Sequence, residues 1–336
     1  MTGAGHPERA SRVAAFVAGL REGAGPETSE LGFLRPIEAS SGGAGDLLAV
    51  HDVSYVELVQ RTCAELSGNR LAQLPTGDTM VSRASYDCAL LAARSAIQAA
   101  RMAKIDAPAF SAMRPPGHHA EPNRGMGFCV FNNVATAAAW ARKNVGSVLI
   151  VDFDYHHGNG TQAWVERTVR EPGADLGFIS THAYPAYPGT GAFNESQIIE
   201  SGFVIDIPLP LGTGTEDFIA VWASLLPPLA RRVAPKLILI SAGFDFLSGD
   251  PIAGLPVALR AVDELCCSLQ AVSAECAAPL AFVLEGGYSL ENMRGSGQVV
   301  ATSFRRTAAR TSLQPNVPAD ARLRAMVSEV VKSVSS

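Results

Sequence analysis

The chain has 336 residues, 47% of them hydrophobic, with 31 Gly and 21 Pro. That is enough for one large α/β domain or two small ones. The formal net charge is -5 and no basic run stands out, which argues against direct nucleic-acid binding. The 6 Cys lack regular spacing and read as free thiols of a reducing compartment, so a cytoplasmic location is expected. No apolar run approaches the length of a membrane span. The run Ala14 to Leu20 is flanked by Arg12 and Arg21 with no cleavage-site pattern after it, and is not read as a signal peptide.

In chain order the pattern predicts a helix over Val81 to Lys104, a strand over Ala109 to Met113, a helix over Val134 to Lys143, and strands over Val148 to Phe153, Leu176 to Thr181 and Phe203 to Ile207. A helix over Glu216 to Val233, a strand over Leu237 to Ser241, a helix over Val257 to Ala277, a strand over Leu280 to Glu285 and a helix over Ala319 to Ser333 follow. Strand–helix alternation predicts a doubly wound parallel sheet. Polar motifs follow the strands at Arg114 to Ala120, Asp152 to Gly160, His182 to Gly191, Gly243 to Pro251 and Glu285 to Tyr288. Sites of open parallel sheets lie outside the carboxyl ends of the strands, so five such loops predict a single active site. Without an internal repeat or linker, residues 1–336 are expected to form a single domain. Its motifs span residues 5–300, with a helical segment at 317–335.

The richest segment is Asp152-Phe153-Asp154-Tyr155-His156-His157-Gly158-Asn159-Gly160-Thr161-Gln162, directly after an apolar strand. Side chains at i and i+2 of a strand share a face, so Asp154 and His156 can reach one ion, with Asp152 behind them. Unpaired buried charges are costly, and a divalent cation would pair these. Asp245, in Ser241-Ala-Gly-Phe-Asp, is the best third ligand. Three protein ligands leave a position open, the catalytic arrangement for Zn²⁺. Taken singly, Asp154 and Asp245 also fit helix caps or ion pairs.

Arg114-Pro-Pro-Gly-His118-His119-Ala presents two imidazoles on a stiff loop. Tandem His suits a base for the attacking water and a second imidazole that tunes charge, each with its far nitrogen held. Asp152 and Asn159 are suitable partners; alone, His-His also fits a surface loop. In Glu285-Gly-Gly-Tyr288 the glycines allow close backbone approach, and the Tyr hydroxyl can donate to an oxyanion or simply pack at a turn. Phe128, beside a glycine-rich turn, and Tyr187 can wall an apolar slot, or serve as ordinary packing.

The motifs Arg114 to Ala120, Gly127-Phe-Cys-Val-Phe-Asn-Asn, Asp152 to Gln162, Ser241 to Asp245 and Glu285 to Tyr288 together resemble the zinc-dependent histone deacetylase family. That family includes bacterial deacetylase-like amidohydrolases and acetylpolyamine amidohydrolases. His6-Pro7-Glu8-Arg9 matches its N-terminal His-Pro-Glu motif. The resemblance implies the arginase/deacetylase α/β fold, a parallel eight-stranded sheet flanked by helices. It implies Asp154, His156 and Asp245 as ligands of one Zn²⁺, with Fe²⁺ the other option. His119 would be general base and acid, and His118, paired with Asp152, would stay electrostatic. Tyr288 would polarise the acyl carbonyl, and Gly127, Phe128 and Tyr187 would line the tunnel. A structural K⁺ or Na⁺ is implied at Asp152, Asp154, His156, Ser180 and Thr181. Asp78 resembles the rim Asp that grips the substrate backbone.

Several positions depart from parts of the family. The chain begins almost at the His-Pro-Glu motif, so the usual first strand is expected to be absent. Asn159 is class II-like, and Tyr288 is not the His of weakly active relatives. Ile252 stands where polyamine deacetylases carry an acidic gatekeeper, which tilts the expected substrate towards acyl-lysine in a protein or peptide, with acetylated small amines as the alternative. Neither nucleic acid nor membrane is an expected partner, and the oligomeric state is open. Gly158 replaces the further metal-binding Asp of a ureohydrolase, and the intact ligand set argues against an inactive acyl-lysine binding module.

Overall fold

The computed structural model describes residues 5–25, 44–171, 173, 175–306 and 317–335; the rest of the expected 1–336 span lies outside the described residues. A short antiparallel ribbon pairs β1 (Ala72–Gln73) with β2 (Met80–Val81). The main sheet runs in the order β3 (Ala109–Ser111), β9 (Leu280–Leu284), β8 (Leu237–Ala242), β4 (Val148–Asp152), β5 (Leu176–Ala183), β7 (Gly202–Leu209), β6 (Gln197–Ile199). The helices are α1 (Ala10–Ala24), α2 (Val53–Ala64), α3 (Ser85–Met102), α4 (Asn133–Asn144), α5 (Asn159–Thr168), α6 (Thr215–Val233), α7 (Arg260–Cys276), α8 (Leu290–Arg305) and α9 (Ala321–Ser335).

The central strands are buried along their whole length, as in parallel sheets covered on both faces. Period-2 alternation sends Leu149 and Val151 of β4 into one layer, with Phe16 of α1, Leu225 of α6 and Leu265 of α7. Val148 and Ile150 enter the other, with Ala96 of α3, Val134 of α4 and Trp164 of α5.

The structure corrects the expected strand count. Instead of eight parallel strands, the main sheet has seven among the described residues, and β6 pairs antiparallel with β7. Only Glu200 and Ser201 separate those two strands, far too few for the crossover that parallel pairing needs. The helix expected from Val81 starts at Ser85, because Val81 belongs to β2; that expected from Val257 starts at Arg260. Helix α5 begins inside the Asp-His motif, where Gly158-Asn159-Gly160 hides its periodicity. Among the described residues no helix is long and apolar enough to cross a membrane, and all the cysteines are free.

Candidate active site

Four strands deliver the candidate residues to one edge. β3 leads to the loop of His118 and His119, β4 ends at Asp152 and continues to Asp154 and His156, β8 leads to Asp245, and β9 leads to Glu285 and Tyr288. In register, Asp152 sits between Ser180 of β5 and Ser241 of β8.

Asp154, His156 and Asp245 come together as expected, their ligand atoms all within 4.8 Å of one another. His156 Nδ1 lies 3.2 Å from Asp154 Oδ1 and 3.1 Å from Asp245 Oδ2. Main-chain N–H groups hold the carboxylates: Tyr155 donates to Asp245 Oδ1 at 2.9 Å, and Gly286 to Asp154 Oδ2 at 2.8 Å. A Cβ at Gly286 would collide with Asp245 Oδ2, so only glycine lets this strand end approach both acids. Burial opposes ionisation of both, yet the neighbouring imidazoles His118 and His156 hold Asp154 well below the usual carboxylate range. Burial and the facing Asp154 push Asp245 up to about 6. Burial disfavours a charged His156, but hydrogen bonds and charge from the two acids outweigh it and raise its pKa to about 10. Two buried carboxylates and one imidazole on a common point are a donor set that fits a divalent cation.

The two loop histidines have different partners. His118 Nδ1 lies 3.1 Å from Asp152 Oδ2. Burial would lower its pKa, but the charges of Asp154 and Asp152 outweigh burial and lift it to about 10. His119 Nδ1 lies 2.8 Å from Asn159 Oδ1, while Asn159 Nδ2 donates to Glu121 Oε1 at 2.8 Å. Glu121 thereby turns the amide oxygen towards His119. This network assigns the proton of His119 to Nδ1 and a lone pair to Nε2. Burial, with His118 and His156 nearby, keeps the His119 pKa well below that of a free imidazole.

Three groups that supply no chemistry of their own hold this frame, and sequence reasoning passed over their roles. Glu285 is buried, and burial pushes its pKa up to about 7. Its Oε2 accepts the N–H groups of Gly117 and His118, whereas Oε1 has no hydrogen-bond partner. Arg12 of α1 donates to the carbonyls of Glu285 and Gly287, lies 4.7 Å from the centre of the Tyr288 ring, and pairs with Glu8. Glu8 also takes Arg114, at the start of the His loop. The signal for Glu8 was its place in the His-Pro-Glu motif. The signal for Glu285 was an acid directly after an entirely apolar strand.

Tyr288 is buried, and burial raises its phenol pKa well above the ordinary value, as do the charges of Asp245 and Asp154. Asp250 ties its turn to the next loop, since Oδ2 accepts the N–H of Tyr288 at 2.6 Å and Oδ1 that of Ile252 at 3.0 Å. Ile252 itself is exposed.

The Phe128 ring meets Tyr288 and His6, with centroids 5.9 and 4.8 Å away, and Tyr187 meets His119 and His156 at 5.3 and 6.1 Å. Gly127 has φ +55°, and a Cβ there would strike the His119 ring. Asp78 is exposed and accepts hydrogen bonds from Gly127 N–H and the Tyr187 hydroxyl.

Of the residues expected around a monovalent cation, Asp152 and Ser180 are cross-strand partners, and the buried Thr181 hydroxyl has no hydrogen-bond partner. Beside them, His157, His182 and Asp206 also bring ligand atoms within 4.8 Å. There, however, His182 reaches Ser180 Oγ at 2.9 Å and Gly191 O at 2.7 Å, and His157 reaches Thr190 Oγ1 at 2.8 Å and Gln162 Oε1 at 2.6 Å. Every imidazole nitrogen there is engaged by the protein, while the buried Asp206 carboxylate, with Oδ1 3.1 Å from His157 Nε2, has no hydrogen-bond partner.

The family model for the histone deacetylase domain matches residues 6–304. A probable deacetylase of Archaeoglobus fulgidus is 38% identical over 291 residues, covering 85% of this chain and 77% of that protein. Histone deacetylase 10, chloroplastic, of Oryza sativa subsp. japonica is 34% identical over 318 residues, covering 89% and 69%. The crystal structure of the HDA15 HD domain is similar with a TM-score of 0.80 and 29% identity, over 98% of this chain and 88% of that one. The chain belongs to the histone deacetylase family and is a hydrolytic deacetylase.

Proposed function

We propose that this deacetylase removes acetyl or other acyl groups from lysine side chains, within one catalytic domain, using Zn²⁺ (or Fe²⁺) held by Asp154, His156 and Asp245. The observation that carries this reading is the unequal His pair beside the three-ligand cluster. His118 is held as imidazolium by the charges of Asp154 and Asp152, whereas His119, oriented by Asn159, is held neutral by burial and by the neighbouring His118 and His156. When bound, the cation supplies Lewis acidity towards water and the amide carbonyl. The chain's own groups divide the remaining work. His119 Nε2 takes the proton of the attacking water and returns it to the leaving amine. His118 offsets negative charge as the tetrahedral state forms. The Tyr288 hydroxyl donates to the carbonyl oxygen, where charge develops. Phe128 and Tyr187 flank the acyl-lysine stem, and Asp78 stands at the rim.

A structural K⁺ or Na⁺ at Asp152, Asp154, His156, Ser180 and Thr181 is supported by the pairing of Asp152 with Ser180 across β4 and β5 and by the buried Thr181 hydroxyl that has no hydrogen-bond partner. Acyl-lysine is favoured over acetylated polyamines because Ile252 offers an apolar surface where a distal ammonium would need an acid. The test is a comparison of kcat/KM for an acetyl-lysine peptide and for acetylputrescine, together with elemental analysis of the purified protein. A clear preference for acetylputrescine would overturn the choice of substrate class. Protein without a stoichiometric divalent metal would overturn the cation site.

A further inference from the structure

The rim of the site is closed by a ring of contacts. Gly127 leaves no room for a Cβ beside the His119 ring, the His119 and Tyr187 rings pack in a T, the Tyr187 hydroxyl donates to Asp78 Oδ2 at 3.0 Å, and Asp78 Oδ1 accepts the Gly127 N–H at 2.8 Å. The Tyr187–Asp78 bond joins residues 109 positions apart, so it links two loops that the chain itself does not hold together. Tyr187 is 39% exposed, which places its ring at the boundary between site and solvent. Asp78 is the exposed carboxylate of this ring, and an exposed carboxylate is a natural acceptor for peptide N–H groups. Here both of its oxygens already have donors. An incoming main chain must share them or displace the phenol.

We propose that the Tyr187 hydroxyl is a specificity-determining group: by occupying Asp78 it weakens capture of the substrate's main chain, so that the enzyme reads the acylated side chain itself more than the residues around it. This rests on the acyl-lysine reading above and refines its substrate class. The favoured substrates are slender amides that carry few flanking donors, such as acetyl-lysine at a chain terminus or in an extended, unstructured segment. The ring of Tyr187 lines the tunnel, and its hydroxyl tunes what the rim can hold. A phenylalanine at this position would keep the first role and lose the second.

The experiment compares the metal-loaded parent and Tyr187→Phe on three substrates: a hexapeptide with central acetyl-lysine, the same peptide N-methylated at the main-chain nitrogens on and after the acetyl-lysine, and acetylputrescine, which has no main chain. The readout is the kcat/KM ratio of each peptide to acetylputrescine, which cancels any common effect on chemistry. In the parent, N-methylation should change that ratio little. In Tyr187→Phe the ratio for the unmodified peptide should rise about 5-fold, the scale of one ordinary hydrogen bond. The N-methylated peptide should show no such gain, and Asp78→Ala in the Phe background should abolish it. A parent already sensitive to N-methylation would overturn the proposal, because Asp78 would then bind main chain despite the phenol. So would an unchanged ratio in Tyr187→Phe. Absence of turnover of all three substrates by the metal-loaded parent would remove the acyl-lysine reading and this inference together, whereas turnover with an unchanged ratio removes the inference alone.

Discussion

Glu285 Oε2 accepts the main-chain N–H groups of Gly117, at 2.6 Å, and of His118, at 3.1 Å. The loop after β9 therefore holds the loop after β3, and with it both imidazoles. Tyr288 follows three residues later on the same turn, so the proposed base and the proposed oxyanion donor share one anchor.

Removing that anchor should misplace His119 without touching it. Glu285→Ala leaves two buried N–H groups unpaired and should lower kcat about 10²-fold, the cost of a small error in the position of a catalytic group, with KM changed much less. Glu285→Gln keeps an acceptor oxygen and should retain most turnover. Equal losses in both variants, measured side by side, would show that the charge matters and the hydrogen bonds do not.

Glu8 tests the ion-pair frame. Burial opposes its ionisation, but the hydrogen bond from Arg114 and the charges of Arg12 and Arg114 prevail and lower its pKa. A carboxylate with a lowered folded pKa contributes stability above its unfolded pKa, and loses it as pH falls through the folded value. Glu8→Gln removes the carboxylate from two cations, one of them fully buried, and should cost about 3–5 kcal/mol at pH 7. The gap should begin to narrow as pH falls below 4.5, the ordinary value, and close only below the lowered folded pKa, where the parent carboxyl is also neutral. Urea unfolding at pH 7 and at low pH checks this; a gap independent of pH counts against the charge.

Asp245→Ala leaves two ligands for the proposed cation. Metal content by elemental analysis and turnover should both collapse. Full occupancy with full activity would remove Asp245 from the site.

His119→Ala should keep the metal and lose about 10²–10⁴-fold in turnover, the usual share of proton transfer. Because burial and the cationic neighbours lower the His119 pKa, the neutral base persists below pH 6.5, the ordinary imidazole value. The acid limb of kcat/KM in the metal-loaded enzyme should therefore lie below that pH. Greater damage from His118→Ala than from His119→Ala would reverse the two roles.

Tyr288→Phe deletes one hydroxyl and leaves the ring against Arg12. Turnover on acetyl-lysine should fall about 10²–10³-fold, the cost of losing one oxyanion donor, while metal content and thermal stability persist. Near-parental turnover would make Tyr288 a packing residue.

Much of the site was legible in the sequence because its signals are local. An apolar run that ends in Asp-x-Asp-x-His sets strand direction, strand end and a shared face through the period of 2. The order of strands and motifs likewise implied one edge of one parallel sheet, since right-handed crossovers return every strand in the same direction. What sequence could not determine depends on contacts between distant segments. The direction of the Asn159 amide was decided by Glu121, and the anchoring of the His loop by Glu285. The Tyr187–Asp78 link and the Glu8 pairing with Arg114 join residues 109 and 106 apart, and side-chain pairing at such separations leaves no periodic trace. The antiparallel edge of β6 was hidden for a different reason: strand direction there follows from a two-residue connection beside a strand too short to show a pattern. Local spacing by itself determined which residues gather at one edge of the sheet; only the tertiary structure decided how they are held, because hydrogen bonds between loops depend on where the packed sheet sets the strand ends.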